Sequence, residues 1–168
     1  LIAKIGAANT PGSFYLFDKR TAKMQRFGFA NERIKSASLA PVKSVRFPAR
    51  DGVEIEAILT LPKDRPASKL PLMLMPHGGP FARDAESWDW WAQFLADRGY
   101  AVLQPNYRGS SGYGSEFAKK GAGQWGMAMQ DDLDDAVKWA VGQSIADPAR
   151  VCIVGASYGG YAAMRAAE

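Results

Sequence analysis

The spacing of hydrophobic positions changes along the chain, from period two in its first third to strand-length apolar runs and helical stripes after residue 70. From Ser13 to Phe17 aromatic and small residues alternate, residues 18 to 23 supply turn chemistry, and Met24 to Phe29 is apolar again. This pattern predicts a β-hairpin. A second hairpin follows: Ser44 to Phe47, a turn at Ala49-Arg50-Asp51-Gly52, then Val53, Ile55, Ala57, Leu59 and Leu61 on one face. Glu54, Glu56 and Thr60 fall on the other face, so a single buried face is expected. Ala30 to Pro41 has no firm period and reads as a boundary between two domains.

Beyond residue 70, strands alternate with helices, the signature of a mainly parallel sheet covered on both faces. Leu72 to Met75 is a short apolar strand. Glu86 to Arg98 reads as a helix, with Trp88, Trp91, Ala92 and Leu95 on one stripe and Gly99 in the C-terminal capping place. Tyr100 to Gln104 is the next strand. Asp131 to Ser144 is the clearest helix: Leu133, Ala136, Val137, Ala140 and Val141 line one side, and four aspartates crowd its positive end. Val151 to Val154 is a third buried strand, leading into Gly155-Ala156-Ser157-Tyr158-Gly159-Gly160.

Composition removes several classes of function. At 168 residues, 47% hydrophobic and 23% charged, the chain is globular rather than disordered or fibrous. No apolar run reaches the length of a membrane-spanning helix, so a membrane span is excluded and no membrane partner is expected. One cysteine, Cys152, makes neither an internal disulfide nor a zinc cluster, and favours a reducing, cytoplasmic setting. Residues 1 to 75 hold 13 Lys/Arg against 6 Asp/Glu, whereas residues 76 to 168 hold 8 against 11. The basic residues of the first part are scattered singly at strand spacing, as on a solvated sheet face, so no nucleic-acid partner is expected. A leucine at position 1 and a helical pattern at Glu168 read as a piece of a longer chain.

Gly155-Ala156-Ser157-Tyr158-Gly159 matches G-x-S-x-G, and its setting between a β-branched strand and small residues at helical spacing is that of a nucleophile elbow. Ser157 would project above the sheet at a helix N-terminus, which favours negative charge on a substrate oxygen. The competing reading is a tight structural turn. His77-Gly78-Gly79-Pro80 follows the Leu72 to Met75 strand, and its glycines expose backbone N–H groups as a second wall for an oxyanion. Gly79 and Tyr158 would donate from their main chains. His77 is either the catalytic base or a side chain that shapes this loop. Strand-helix alternation ending in the elbow is the α/β-hydrolase arrangement, where acid and base follow the serine, and this order favours the shaping role.

Four motifs, His77-Gly78-Gly79-Pro80, the run from Pro105 to Gly114 (PNYRGSSGYG), Gln124-Trp125-Gly126 before Asp131-Asp132, and the elbow through Tyr161, together resemble the prolyl oligopeptidase family of serine peptidases. Within that family the sequence is most similar to the acylaminoacyl-peptidase and dipeptidyl-peptidase branches. The likeness covers roughly residues 41 to 168. It implies an α/β-hydrolase fold whose sheet is incomplete here, preceded over residues 1 to 40 by the end of a β-propeller's last blade and a linker. It also implies a nucleophile at Ser157, an oxyanion hole at Gly79 and Tyr158 with His77 beside it, and a small peptide substrate. No metal or organic cofactor is implied, and the full-length protein has room to form a homo-oligomer. Some branches carry a tyrosine where His77 stands; this sequence departs there. Tyr107 and Arg108 shape the loop beside the cleft, Arg108 by pairing with a carboxylate, and Asp131 and Asp132 start a helix rather than act in catalysis. The family's triad Asp and His would lie after residue 168, so this chain alone is expected to be inactive. An esterase on the same fold and a non-catalytic interaction module are the rival readings.

Overall fold

The computed structural model describes residues 1–34 and 39–167. The chain forms a three-stranded antiparallel sheet, β1 (Ile2–Ala7), β2 (Thr10–Asp18) and β3 (Lys23–Phe29), followed by a separate five-stranded sheet. The expected hairpin is β2–β3, and its turn is set by Asp18, whose carboxylate accepts from Arg20 N at 2.9 Å and Thr21 Oγ at 3.0 Å. β1 was not foreseen. Its six residues are all exposed and Gly6 interrupts their alternation, so it leaves no periodic trace and forms by pairing with β2. Of the expected boundary Ala30 to Pro41, residues 35–38 lie outside the described residues.

The second sheet runs in the order β4-β5-β7-β6-β8. β4 (Val42–Pro48) and β5 (Glu54–Thr60) form the second expected hairpin, with Val45 opposite Ala57 and Phe47 opposite Ile55. Gly52, at φ 83°, allows its turn. β5 pairs antiparallel with β7 (Ala101–Asn106), and β6 (Leu70–Leu74) runs parallel to both β7 and β8 (Ala146–Ile153). The reading of one buried face for β5 fails in its second half, because Ile58 and Thr60 are buried as fully as Leu59. β5 is an interior strand whose sheet is covered on both sides.

Alternate residues of the central strands serve two cores. Leu72, Leu74, Ala101 and Leu103 face α3 (Ala128–Gly142), against Leu133, Ala136 and Ala140, and α4 (Tyr158–Arg165) at Tyr158 and Ala162. Met73, Met75 and Val102 face α1 (Trp90–Asp97), against Trp91, Ala92, Leu95 and Ala96. The stripe expected for α3 is therefore its buried face, but the helix starts at Ala128, three residues early, so only Asp131 of the four aspartates lies in its first turn. α1 starts later than expected because Asp89 caps it, accepting from Trp91 N at 2.8 Å and Ala92 N at 3.2 Å. Trp88 therefore precedes the helix. Gly99 closes α1 at φ 92°, as its position implied. A short helix, α2 (Ser115–Lys119), links β7 to α3. No helix among the described residues is long and apolar enough to cross a membrane.

Leu103 is fully buried in the central strand, so Leu103→Ala leaves a cavity beneath α3. A loss of about 2–5 kcal/mol on urea unfolding is expected.

Candidate active site

β8 ends at Ile153 and α4 begins at Tyr158; the chain reverses over the four residues between. Val154 N donates to Leu74 O at 2.9 Å, so parallel pairing continues to the edge of the turn. Ser157 then adopts φ 56° and ψ −124°, a conformation that costs a non-glycine residue about 1–3 kcal/mol. Its side chain is exposed, on the residue immediately before the helix. The flanking glycines make this bend possible. A Cβ on Gly155 would stand 2.5 Å from the Gly159 carbonyl, and one on Gly159 would run into the Pro76 carbonyl oxygen. Gly160 is under no such restriction, since its Cβ would meet Gly155 O at 3.4 Å, an ordinary contact.

The loop after β6 approaches the same serine. A Cβ on Gly78 would lie 3.3 Å from Ser157 Cβ and 3.2 Å from Ala156 O, so a side chain there would press the serine turn back by a few tenths of an ångström. Gly79, exposed at φ 123°, comes next. Tyr158 N–H lies in the first turn of α4, where no intrahelical acceptor exists. Ser157 and Gly78, with Tyr158 and Gly79 next to them in sequence, thus lie at the carboxyl end of the parallel strands, where open α/β sheets bind ligands.

His77 sits below this surface rather than on the serine. Nε2 lies 2.9 Å from Ser110 Oγ and Nδ1 lies 2.8 Å from Gly78 O, while its ring stacks on Tyr107 at 4.4 Å between centroids. Burial pushes its pKa down and so favours the neutral imidazole. Tyr107 is fully buried and donates its hydroxyl to His77 O at 2.7 Å; burial pushes that phenol far up, so it remains a donor. The Tyr158 ring is buried against Tyr107, Trp125 and Tyr161, and its hydroxyl is pushed up to about 12, chiefly by burial.

Arg108 is buried and bidentate twice over. Its Nε and Nη2 donate to Asp132 at 2.9 and 2.7 Å, its Nη1 and Nη2 donate to Asp51 at 2.7 and 3.0 Å, and its backbone N–H adds a bond to Asp132 at 2.8 Å. The carboxylate foreseen for Arg108 is therefore a pair. This corrects the reading of Asp132 as a helix-start residue: it lies in the second turn of α3, with none of its side chain exposed, as the counter-charge of Arg108. Burial pushes the Asp132 carboxyl up, and the Arg108 hydrogen bonds and charge oppose that shift. Asp51 is held down at about 2 by its hydrogen bond from Arg108. Arg50 repeats the device at the neighbouring position, donating to Asp135 at 3.0 Å and Asp131 at 2.6 Å. On the other side of the loop, Asn106 is fully buried, accepts from Asp84 N at 2.8 Å and donates to Asp84 O at 3.0 Å.

Sequence reasoning gave Asp51, Asn106 and Ser110 no role. Asp51 looked like an ordinary turn residue, and the other two lay within a quoted motif without an assigned contact. For Asn106 a signal exists, a polar residue at the end of a strand that is buried throughout.

An exposed serine on a strained turn between a parallel strand and a helix, beside a glycine loop, has the backbone geometry of the elbow motif of α/β-hydrolase sheets. Residues 86–168 match the prolyl oligopeptidase family profile. The chain belongs to the prolyl oligopeptidase family. It is 39% identical to dipeptidyl aminopeptidase BIII of Pseudoxanthomonas mexicana over 97% of its own length and 25% of that protein's. It is also 35% identical to the acylamino-acid-releasing enzyme of Sus scrofa over 66% of its length and 15% of that protein's. A Mycobacterium tuberculosis puromycin-hydrolyzing peptidase superposes with a TM-score of 0.84 at 28% identity, over 98% of this chain and 26% of that one. The chain thus spans about a quarter of the length of the relatives it matches along its whole extent.

Gly159→Ala forces the elbow apart and should lower the thermal midpoint of the full-length protein sharply, whereas Gly160→Ala should leave it near wild type. Asp132→Ala leaves the buried guanidinium with the half-exposed Asp51 as its one remaining partner, and a loss at the lower end of about 3–5 kcal/mol is expected on chemical unfolding. Asp51 contributes a pH dependence of its own. Its folded-state pKa is depressed to about 2, so its stabilisation is complete above the ordinary value of 3.8 and disappears as pH falls towards 2.

Proposed function

We propose that the full-length protein is a serine peptidase that hydrolyses short peptides through an acyl-enzyme on Ser157. The observation that carries this reading is an exposed serine at φ 56° between a parallel strand and a helix, so near the loop after β6 that a Cβ on Gly78 would lie 3.3 Å from Ser157 Cβ. In the reaction Ser157 Oγ attacks the peptide carbonyl and its proton passes through a general base to the departing amine. Gly79 and Tyr158 N–H groups receive the negative oxygen of the tetrahedral intermediate, and water then hydrolyses the ester. The base and its acidic partner come from the remainder of the full-length protein, because the single histidine of this chain is engaged with Ser110 and Gly78 O. Peptide substrates are supported by relatives named as a dipeptidyl aminopeptidase and an acylamino-acid-releasing enzyme.

We assign residues 1 to 40 to the last blade of a preceding β-propeller and a linker, and the rest to the N-terminal part of the catalytic domain. The support is that the antiparallel β1-β2-β3 meander forms its own sheet. A propeller over the cleft would limit substrates to small peptides. The single cysteine, unpaired at Cys152, supports a reducing, cytoplasmic setting.

A fluorophosphonate probe should label the full-length protein, and Ser157→Ala should abolish labelling and lower peptidase kcat by several powers of ten, roughly 10⁴ to 10⁶. Turnover of aminoacyl-naphthylamides identifies the peptidase; turnover of acyl esters alone would show an esterase, and an unlabelled wild type would show a non-catalytic module.

A further inference from the structure

Asn106 is the last residue of β7, fully buried, and has no part in the mechanism above. We propose that it is a positioning residue for the loop from His77 to Asp84, which carries Gly79; the proposal rests on the reading of Ser157 as nucleophile and of Gly79 N–H as an oxyanion donor.

The loop has little apolar anchorage of its own. Gly79 and Arg83 are exposed, and Phe81, its one large hydrophobic side chain, is 70% exposed. Polar contacts from the end of β7 and the residues after it hold the loop instead. Tyr107 donates its hydroxyl to His77 O at 2.7 Å, Ser111 N donates to Ala82 O at 2.9 Å, and Asn106 grips Asp84. Two consecutive residues, Asn106 and Tyr107, thus clamp the two ends of the loop. The Asn106 contact is the more restrictive, because it accepts from Asp84 N at 2.8 Å and donates to Asp84 O at 3.0 Å. Two bonds to one residue oppose its rotation as well as its displacement.

The protons of this contact are assigned without ambiguity. Asp84 N–H can only donate and Asp84 O can only accept, so they fix which end of the Asn106 amide is oxygen and which is nitrogen. The second Nδ2 proton goes to Tyr113 Oη at 2.8 Å, and the Tyr113 hydroxyl donates to Glu56 Oε1 at 2.8 Å. Burial pushes the Tyr113 phenol up to about 12, so it keeps that proton near neutral pH. Glu56 stands opposite Asn106 in the β5–β7 register, and Arg46 pairs with its carboxylate at 3.2 Å. Every hydrogen of the amide therefore has an acceptor, and the clamp is rooted in the interior of the sheet.

The clamped end of the loop is close to Gly79 along the fold. Ala82 N donates to Pro80 O at 2.8 Å, and a Cβ on Gly79 would stand 2.7 Å from Phe81 N and 3.2 Å from Ala82 Cβ. Gly79 is thus folded onto Ala82, two residues from Asp84. Releasing Asp84 leaves the turn to Gly78 and Gly79, which have little backbone rigidity of their own. A misplacement of about 1 Å at a reacting centre can cost on the order of a hundredfold in rate.

Fluorophosphonate labelling of Ser157, peptidase kcat and KM, and the thermal midpoint, all on the full-length protein, test the clamp. Asn106→Leu removes all three bonds at similar volume and should slow labelling and lower kcat by roughly ten- to hundredfold, with KM changed less than about threefold. Asn106→Asp keeps the shape and the acceptor but loses both donors; it should slow labelling by about fivefold or more, and it carries the test should Asn106→Leu fail to fold. Tyr113→Phe leaves both bonds to Asp84 in place, and Leu103→Ala destabilises the sheet elsewhere; below their thermal midpoints both should label within about threefold of wild type. Wild-type labelling in the folded Asn106 variants, a loss confined to KM, or an equal loss in Tyr113→Phe or Leu103→Ala would each overturn the proposal. An unlabelled wild type would sink the Ser157 reading itself, whereas a labelled wild type with indifferent Asn106 variants sinks this inference alone.

Discussion

A loop without regular secondary structure holds a position only if side chains rooted in helices and strands grip it, and the segment after β7 is gripped through Arg108. One guanidinium joins that loop to α3 at Asp132 and to the β4–β5 turn at Asp51, and its backbone N–H bonds to the same Asp132. Burying such a group without partners would cost several kcal/mol, and its neutralisation on both sides makes the site permissible. The planar fork matters here, because Lys cannot address two carboxylates in fixed directions. Everything carried by that loop, Tyr107 and Ser110 above all, inherits its position from this arrangement.

The elbow is constrained differently, by the lack of side chains. Gly155 and Gly159 meet at a distance no Cβ would tolerate, and Gly159 lies against Pro76 at the end of β6. Close packing brings β8, α4 and the loop after β6 into one small volume, which places Ser157 beside Gly78. The strain at Ser157 is sustained by the sheet pairing on one side, where Val154 bonds to Leu74, and by α4 on the other, where Tyr161 N bonds to Ser157 O at 3.0 Å.

Much of this was legible in the sequence where a local pattern sufficed. The stripe of Leu133, Ala136 and Ala140, the Gly99 cap and the elbow each follow from spacing and steric need over a few residues. Other features depend on distant partners. β1 has no buried face and exists by pairing with β2; Thr60 is buried because β5 is interior; Asp132 resembles a helix-start residue until Arg108, 24 positions away, claims it. The start of α1 was misplaced because the pattern from Trp88 onward ignores Asp89, whose cap fixes the first turn. Ser110 was equally opaque, since a small polar residue after Gly109 looks like ordinary turn chemistry.

Buried polar side chains recur at every second position from Gln104 through Asn106 and Arg108 to Ser110. Each would be costly alone, and each has a partner: Asp89 for Gln104, Asp84 and Tyr113 for Asn106, Asp132 and Asp51 for Arg108, His77 for Ser110. An apolar core would be cheaper to build, so their concentration beneath one pair of loops calls for a reason in those loops. The two proposed oxyanion donors supply it. Tyr158 N–H is aimed by a helix, but Gly79 N–H belongs to a glycine segment that must stay free of side chains to approach Ser157. Directional hydrogen bonds from beneath can fix such a segment, whereas dispersion contacts resist compression without setting the rotation of a peptide plane. Two members of the ladder reach that loop directly: Asn106 bonds both backbone groups of Asp84, and Ser110 Oγ lies 2.9 Å from His77 Nε2.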